Sequence, residues 1–326
     1  MSSTLFYEQL ARERGMATNA QVGLLVPGSF AGAPPTLSEF TAFFQRAEAL
    51  GLHSLWVIDR LFHTVNILDP ITLLTCAAAV TSRIRLGTAV LLCAFRNPVL
   101  MAKTTATLDY LSGGRLMLGV SLGGLANEFE SLGVSMQQRV SRLRENLTVM
   151  RQLWTEPQVT FHGRYYHMDN VSMEPKPVQK PGIPILMGGR AEAVLKRSAE
   201  EADGWICGVA PGLDTPEAFR AAWQKVCRYA QAAGKDPEAL EAGKLLYISV
   251  GEDRERCREQ LRDFIHTYYG PQFAVDTNCA FGPPAVCAAT IQRFLDAGVK
   301  TIMLGPARPD VEQVTRIANE VVPRLQ

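Results

Sequence analysis

Two glycines stand where this chain could meet an anion. The stretch IPILMGGRAEAVLKRSAEEADGW, residues 183–205, runs apolar to Gly188 and Gly189 and then turns at once into a helical pattern. A strand that ends this way presents open backbone N–H groups and the positive end of a helix dipole, which suits phosphate. Glycines after strands also serve tight turns with no ligand, and on this pair alone the turn is the better reading. Gly123-Gly124 repeats the pattern after another apolar run and adds weight to a phosphate-bearing ligand. Asp59 closes the run HSLWVID, and Arg60 and His63 follow it. They read equally well as an acid/base cluster and as a turn cap beside its ion-pair partner.

Other chemistries find no support. The five histidines, His53, His63, His162, His167 and His266, have no metal-ligand spacing, so no metal is expected. There is no phosphate loop of the G-x-x-x-x-G-K type and no G-x-G-x-x-G after an early strand. No lysine ends a strand-like run, which leaves a Schiff-base aldolase without its nucleophile. Lysine plus arginine is 33 against 32 acidic residues, a balance that argues against nucleic acid or a membrane surface as partner. Seven scattered cysteines, with no C-x-x-C, suit reduced thiols in a cytoplasmic protein.

Eight short β-like runs position these residues. They begin at Gln21, His53, Ile84, Arg115, Ile183, Gly204, Lys244 and Lys300, and each leads into a helical pattern. Near-continuous apolar runs of this kind are expected of parallel strands covered on both faces. Gly51, Gly114, Gly243 and Gly298 are placed to cap the helices before four of them. Eight such units predict an α/β fold, a (β/α)8 TIM barrel, over an open doubly wound sheet. Residues 1–20 form an N-terminal extension and 21–326 a single domain. Thr155 to Gly182 predicts a hairpin insertion between strands 4 and 5. Tyr269 to Pro284 predicts a lid or interface segment. In such barrels chemistry sits at the C-terminal strand ends, which hold Asp59, Arg60 and His63, then Arg96, then Ser121 to Glu128, then Gly188 and Gly189.

The ordered blocks LWVIDRLF, IRLGTAVLLCAFRNPVLMAKTTATLDYLSGGRLMLGVSLGG, NEFESLG, PKPVQKPGIPILMGG and EEADGW resemble the bacterial luciferase-like monooxygenase superfamily, especially the branch that uses coenzyme F-420. The resemblance is strong from Val22 to Gly208 and weaker beyond. It implies a (β/α)8 barrel and a strand-three bulge, often with a non-prolyl cis peptide, at Ala89 and Val90 behind the cofactor ring. It places Asp59 near that ring, Leu122, Gly123 and Asn127 along the cofactor tail, and Gly188, Gly189 and Ile206 in the cofactor phosphate region. Sugar-phosphate dehydrogenases of the family carry His after the strand-two Asp and Glu in the strand-four loop. Arg60 and Gly124 stand there instead, which argues against that substrate class.

The implied function is a luciferase-like oxidoreductase, a flavoprotein-type enzyme on a small organic substrate. Deazaflavin F-420 would serve hydride transfer; reduced FMN, supplied by a partner reductase, would serve oxygenation. The motifs lie closer to the F-420 branch. A non-catalytic flavin-binding barrel is the alternative. The resemblance, with the small and apolar composition of ITLLTCAAAV, suggests a homodimer.

Overall fold

The computed structural model describes residues 20–30, 32–209, 211–307 and 310–326. The expected extension over residues 1–20 lies outside them except for Ala20. Eight strands hydrogen-bond in parallel: β1 Gln21–Leu25, β2 Ser54–Val57, β3 Arg85–Leu92, β4 Leu116–Ser121, β5 Ile185–Gly188, β6 Gly204–Cys207, β7 Glu241–Val250 and β8 Thr301–Pro306. Each pairs with its chain neighbour, and β8 returns to β1 with Gln21 opposite Thr301, so the sheet closes as a (β/α)8 barrel.

Alternation along each strand sorts side chains between two apolar layers. Leu25, Trp56, Met117, Leu186, Ile206, Leu245, Tyr247 and Met303 form the inner cluster. Outward residues such as Leu24, Leu55, Leu118, Trp205 and Leu246 join the helices. Glycines and large residues share the inner layer. A Cβ on Gly87 would overlap the Trp56 indole, and one on Gly305 would lie 2.7 Å from Tyr247 Cδ1. Trp56 satisfies its own indole N–H on Ser54 Oγ at 2.8 Å. Gly243 belongs to this layer. It is the third residue of β7 and faces Met303 and Ile206, so it is no helix cap, unlike Gly51, Gly114 and Gly298 with φ of 73°, 83° and 104°.

The register of β3 against β4 shifts between Thr88 and Leu91, and the Ala89-Val90 peptide is cis. The bulge makes two successive residues, Ala89 and Val90, pack on the inner cluster.

The helices start and stop where their ends are satisfied. α1, Leu37–Ala49, opens with a capping box between Thr36 and Glu39. α2 is Pro70–Val80. α3, Pro98–Ser112, starts at the Asn97 cap and stops at Gly113, φ 70°. Buried Arg115 gives its guanidinium N–H groups to the carbonyls of Ala78 and Thr81 at the end of α2, of Ile84 before β3 and of Ser112 at the end of α3, which ties these three ends together. Asp109, fully buried in α3, accepts from the backbone N–H groups of Val178 and Gln179 and pins the proline-rich segment that feeds β5.

α4 is Arg139–Thr155, and after it Val159–His162 and His167–Val171 pair antiparallel. The Glu145 carboxylate of α4 receives the N–H groups of Arg164, Tyr165 and Tyr166 at the tip of this pair. α5 is Glu192–Glu201, α6 Pro216–Ala232, α7 Arg254–Tyr269 and α8 Pro284–Leu295. The stretch expected to be a lid contains a strand, Cys279–Gly282, parallel to Tyr247–Val250 at the top of β7. β6 pairs with residues 241–244 of β7 and leaves that upper edge open. The side chain of Gln313 bonds both the N–H and the C=O of Val250.

All seven cysteines are free thiols. Among the described residues no helix is long and apolar enough to cross a membrane, and no group of His, Cys, Asp or Glu is placed to hold a metal ion.

Candidate active site

Asp59 follows the end of β2 and is 7 % exposed. Its carboxylate accepts from Leu92 N–H at 2.9 Å and from Arg96 Nη2 at 2.9 and 2.8 Å. It therefore ties the end of β2 to the last residue of β3, just past the bulge. Burial pushes the Asp59 carboxyl up from its ordinary range, against the pull of Arg96 and the Leu92 N–H. Arg96 stands on a short turn, Cys93–Phe95, that is held from behind. Buried Asn146 of α4 donates to the carbonyls of Cys93 at 2.8 Å and Arg96 at 3.0 Å.

Arg60 turns the other way. Its Nη1 lies 3.5 Å from Oε2 of Glu128, a carboxylate with no solvent exposure. The other Glu128 oxygen accepts from the N–H groups of Leu61 at 2.9 Å and Phe62 at 3.4 Å. Glu128 thus fixes the loop after β2 and aims Arg60, which also approaches the Tyr268 hydroxyl. His63 stacks on Tyr268 with ring centroids 4.8 Å apart. Its Nδ1 accepts from Val65 N–H at 3.2 Å, so Nε2 carries the proton and donates to the Tyr268 carbonyl at 3.1 Å. Asp59, Arg60 and His63 share one loop but not one hydrogen-bond network.

Ala89 and Val90 face the barrel interior beside Ile206, the third residue of β6. Gly188 closes β5 directly opposite: a Cβ there would lie 2.7 Å from Val90 Cγ1. Gly189 follows at φ 145° and gives its carbonyl to the Trp205 indole at 2.7 Å. The helix after it, α5, has no side-chain cap at its N-terminus. Gly123 turns at φ 74° against Phe95 and Phe129, half-buried Leu122 precedes it, and Asn127 is exposed on the short helix Ala126–Ser131.

The wall across from Asp59 is aromatic. Tyr247 of β7 points inward, and Tyr268, Tyr269 and Phe273 pack around it from the end of α7. Sequence reasoning assigned no role to Arg96, Glu128, Asn146 or these tyrosines. Inward parity in β7 marks Tyr247; nothing local marks the others, whose partners lie far along the chain.

Comparison with known proteins supplies a frame for this mouth. A family model described as luciferase-like monooxygenase matches residues 16–278. An F-420-dependent glucose-6-phosphate dehydrogenase of Amycolatopsis mediterranei is 28% identical over 313 residues, spanning 86% of this chain and 92% of the relative. The structure of an F-420-dependent secondary alcohol dehydrogenase with an F-420–acetone adduct aligns at TM-score 0.80 and 25% identity, over 95% of this chain and 100% of that one. A type II Baeyer–Villiger monooxygenase component from the CAM plasmid of Pseudomonas putida, bound to FMN, shares the fold at TM-score 0.79 and 16% identity, over 94% and 99% of the two chains.

Proposed function

The chain belongs to the luciferase-like monooxygenase family, and from that premise we propose that it is an oxidoreductase that acts on a small organic molecule with F-420 or FMN, F-420 being favoured. The observation that carries this reading is the inward bulge of β3. Ala89 and Val90 make a small apolar platform at the mouth between the Asp59–Arg96 pair and Gly188. A planar ring fits against such a platform, and the neighbouring groups suit its tail. Gly189 and the uncapped start of α5 offer free N–H groups for a phosphate. Leu122, Gly123 and Asn127 line the way to it, and Ile206 supports the platform from β6.

When bound, the cofactor supplies the hydride or, as FMN, the oxygen chemistry. The chain's own residues place and enclose the reactants. Asp59 holds the bulge through Leu92 N–H, Arg60 offers a cation for an anionic group, and the His63–Tyr268 stack covers the mouth. The name shared by close relatives is a sugar-phosphate dehydrogenase. Arg60 and Gly124 still argue against that substrate here. That both nitrogens of His63 are occupied favours a second reading, a flavin-binding barrel without turnover.

Residues 21–326 are taken as one domain. A homodimer through α2 and α3 accounts for Leu100, Tyr110 and Leu111, which stand 69 %, 59 % and 62 % exposed on α3; light scattering at micromolar protein would report a monomer mass if this is wrong. Use of FMN would bring in a flavin reductase as partner, and use of F-420 an F-420 reductase. The direct test is parallel fluorescence titration of the purified protein with FMN and with F-420. Tight F-420 binding is expected; binding of neither would sink the proposal.

A further inference from the structure

Two hydroxyls meet in the aromatic wall of the mouth. Tyr247 OH and Tyr269 OH are 2.9 Å apart. One hydrogen serves that contact, so one of the two hydroxyl protons is left over. Among the described residues neither oxygen has another hydrogen-bond partner. The immediate packing is apolar: Phe264 packs edge-on against Tyr247, Phe273 stacks on Tyr269 at 4.9 Å, and Val275 and Phe281 complete the cluster, while neighbouring Tyr268 lies edge-on to Tyr269 at 4.6 Å without a hydrogen bond to its hydroxyl. A donor left unpaired in such a setting is costly.

The direction of the spare proton follows from burial. Tyr247, within β7, is 1 % exposed, whereas Tyr269, the last residue of α7, is only half-buried. Tyr247 therefore donates to Tyr269, and Tyr269 donates outward. Tyr269 packs on the same inner cluster as Ile58, Ala89, Val90, Val209 and Ala307, all at the C-terminal ends of barrel strands. The spare donor thus belongs to a residue that packs with the groups proposed to line the reactant space.

We infer that the Tyr247–Tyr269 pair is an oxygen-recognition subsite, with Tyr269 donating a hydrogen bond to the carbonyl or hydroxyl oxygen of a substrate whose remainder is apolar and ring-bearing. The inference rests on the oxidoreductase reading above. The aromatic neighbours select the frame of the molecule, and the single donor selects the position of its oxygen. A buried site built around one such donor discriminates against the isostere that lacks the acceptor.

The test uses the full chain loaded with whichever cofactor it binds. The probes are acetophenone and α-methylstyrene, which has CH2 in place of the carbonyl oxygen. Wild type is expected to bind acetophenone on the order of tenfold more tightly than α-methylstyrene. The C=O stretch of bound carbonyl-labelled acetophenone should lie below its value in an apolar solvent. Tyr269→Phe should abolish both the preference and the shift while cofactor affinity and melting temperature hold. Tyr247→Phe, which keeps the outward donor, should retain the preference in part and serves if Tyr269→Phe does not fold. Equal binding of the two probes by wild type, or an unchanged preference in Tyr269→Phe, overturns the inference. Loss of cofactor affinity in Tyr269→Phe would assign the donor to a cofactor oxygen and also overturn it. Failure of cofactor binding in wild type would instead reject the underlying function, and the two failures are read in separate titrations.

Discussion

Replacing Gly188 by alanine asks what that glycine is for. The new Cβ would lie 2.7 Å from Val90 Cγ1 and 3.2 Å from Cγ2, with Val90 Cβ at 3.5 Å. Only the two methyl groups are too close; the Cβ is at ordinary contact. Overpacking of this kind costs about 1–3 kcal/mol. Val90→Ala removes both methyls from a half-buried side chain, at a cost of about 1 kcal/mol. If the close approach is the reason for Gly188, the double variant should cost little more than Val90→Ala alone. The coupling energy would then be about 1–3 kcal/mol in favour of the pair. Urea unfolding of the four proteins measures it. Additivity within about 0.5 kcal/mol would refute the packing argument and return Gly188 to the reading in which its open backbone serves a ligand.

Three further outcomes are expected. Arg115→Met should lower stability by about 3 kcal/mol or more, because the carbonyls of Ala78 and Thr81 at the end of α2, with those of Ile84 and Ser112, lose their donor; a loss below about 1 kcal/mol in denaturant midpoints would contradict the capping role. Asp59→Asn should weaken cofactor binding on the order of tenfold in a fluorescence titration, since Arg96 and the Leu92 N–H lose their carboxylate; an unchanged affinity would detach the Asp59–Arg96 pair from the site. His53, at the start of β2, has its pKa pushed from 6.5 down to about 3 by burial and then by Arg85. Between those values the unfolded chain binds the extra proton. Stability should therefore fall as pH drops below 6.5, by up to about 1.4 kcal/mol per pH unit from this group. His53→Gln should flatten that part of the profile, and an unaltered slope would show that His53 does not titrate as argued.

The barrel strands were readable because each is a short apolar run covered on both faces, and α1 and α3 because caps and glycines punctuate them. Gly243 misled for a simple reason. A glycine ahead of an apolar run looks the same whether it ends a helix or makes room inside a strand, and the partners that decide, Met303 and Ile206, are distant in the chain. The bulge at Ala89 and Val90 followed from family resemblance, since a period of two cannot announce two successive inward residues. The pairing of Glu128 with the loop after β2 spans 66–68 residues, and Asn146 reaches back 50–53 residues to hold the Arg96 turn. Contacts of that range leave no local pattern. Tyr269 fell in a stretch read only as irregular, and it took the fold of α7 to bring it beside Tyr247.

The upper part of β7 is braced on both edges, by Cys279–Gly282 on one side and by β8 and the Gln313 side chain on the other. The loop after β2 that meets it across the mouth is held near its start by the Glu128 carboxylate and the His63–Tyr268 contact, and only toward its end by a two-residue pairing of Asn66–Ile67 with Ser29–Phe30. Local opening free energy follows such differences in bracing. Amide hydrogens of Tyr247 to Val250 should therefore exchange with deuterium near the global unfolding rate, and those of Leu61 and Phe62 far sooner. The two sides of the mouth are thus unequally held, the aromatic wall more firmly than the Leu61–Phe62 stretch that faces it.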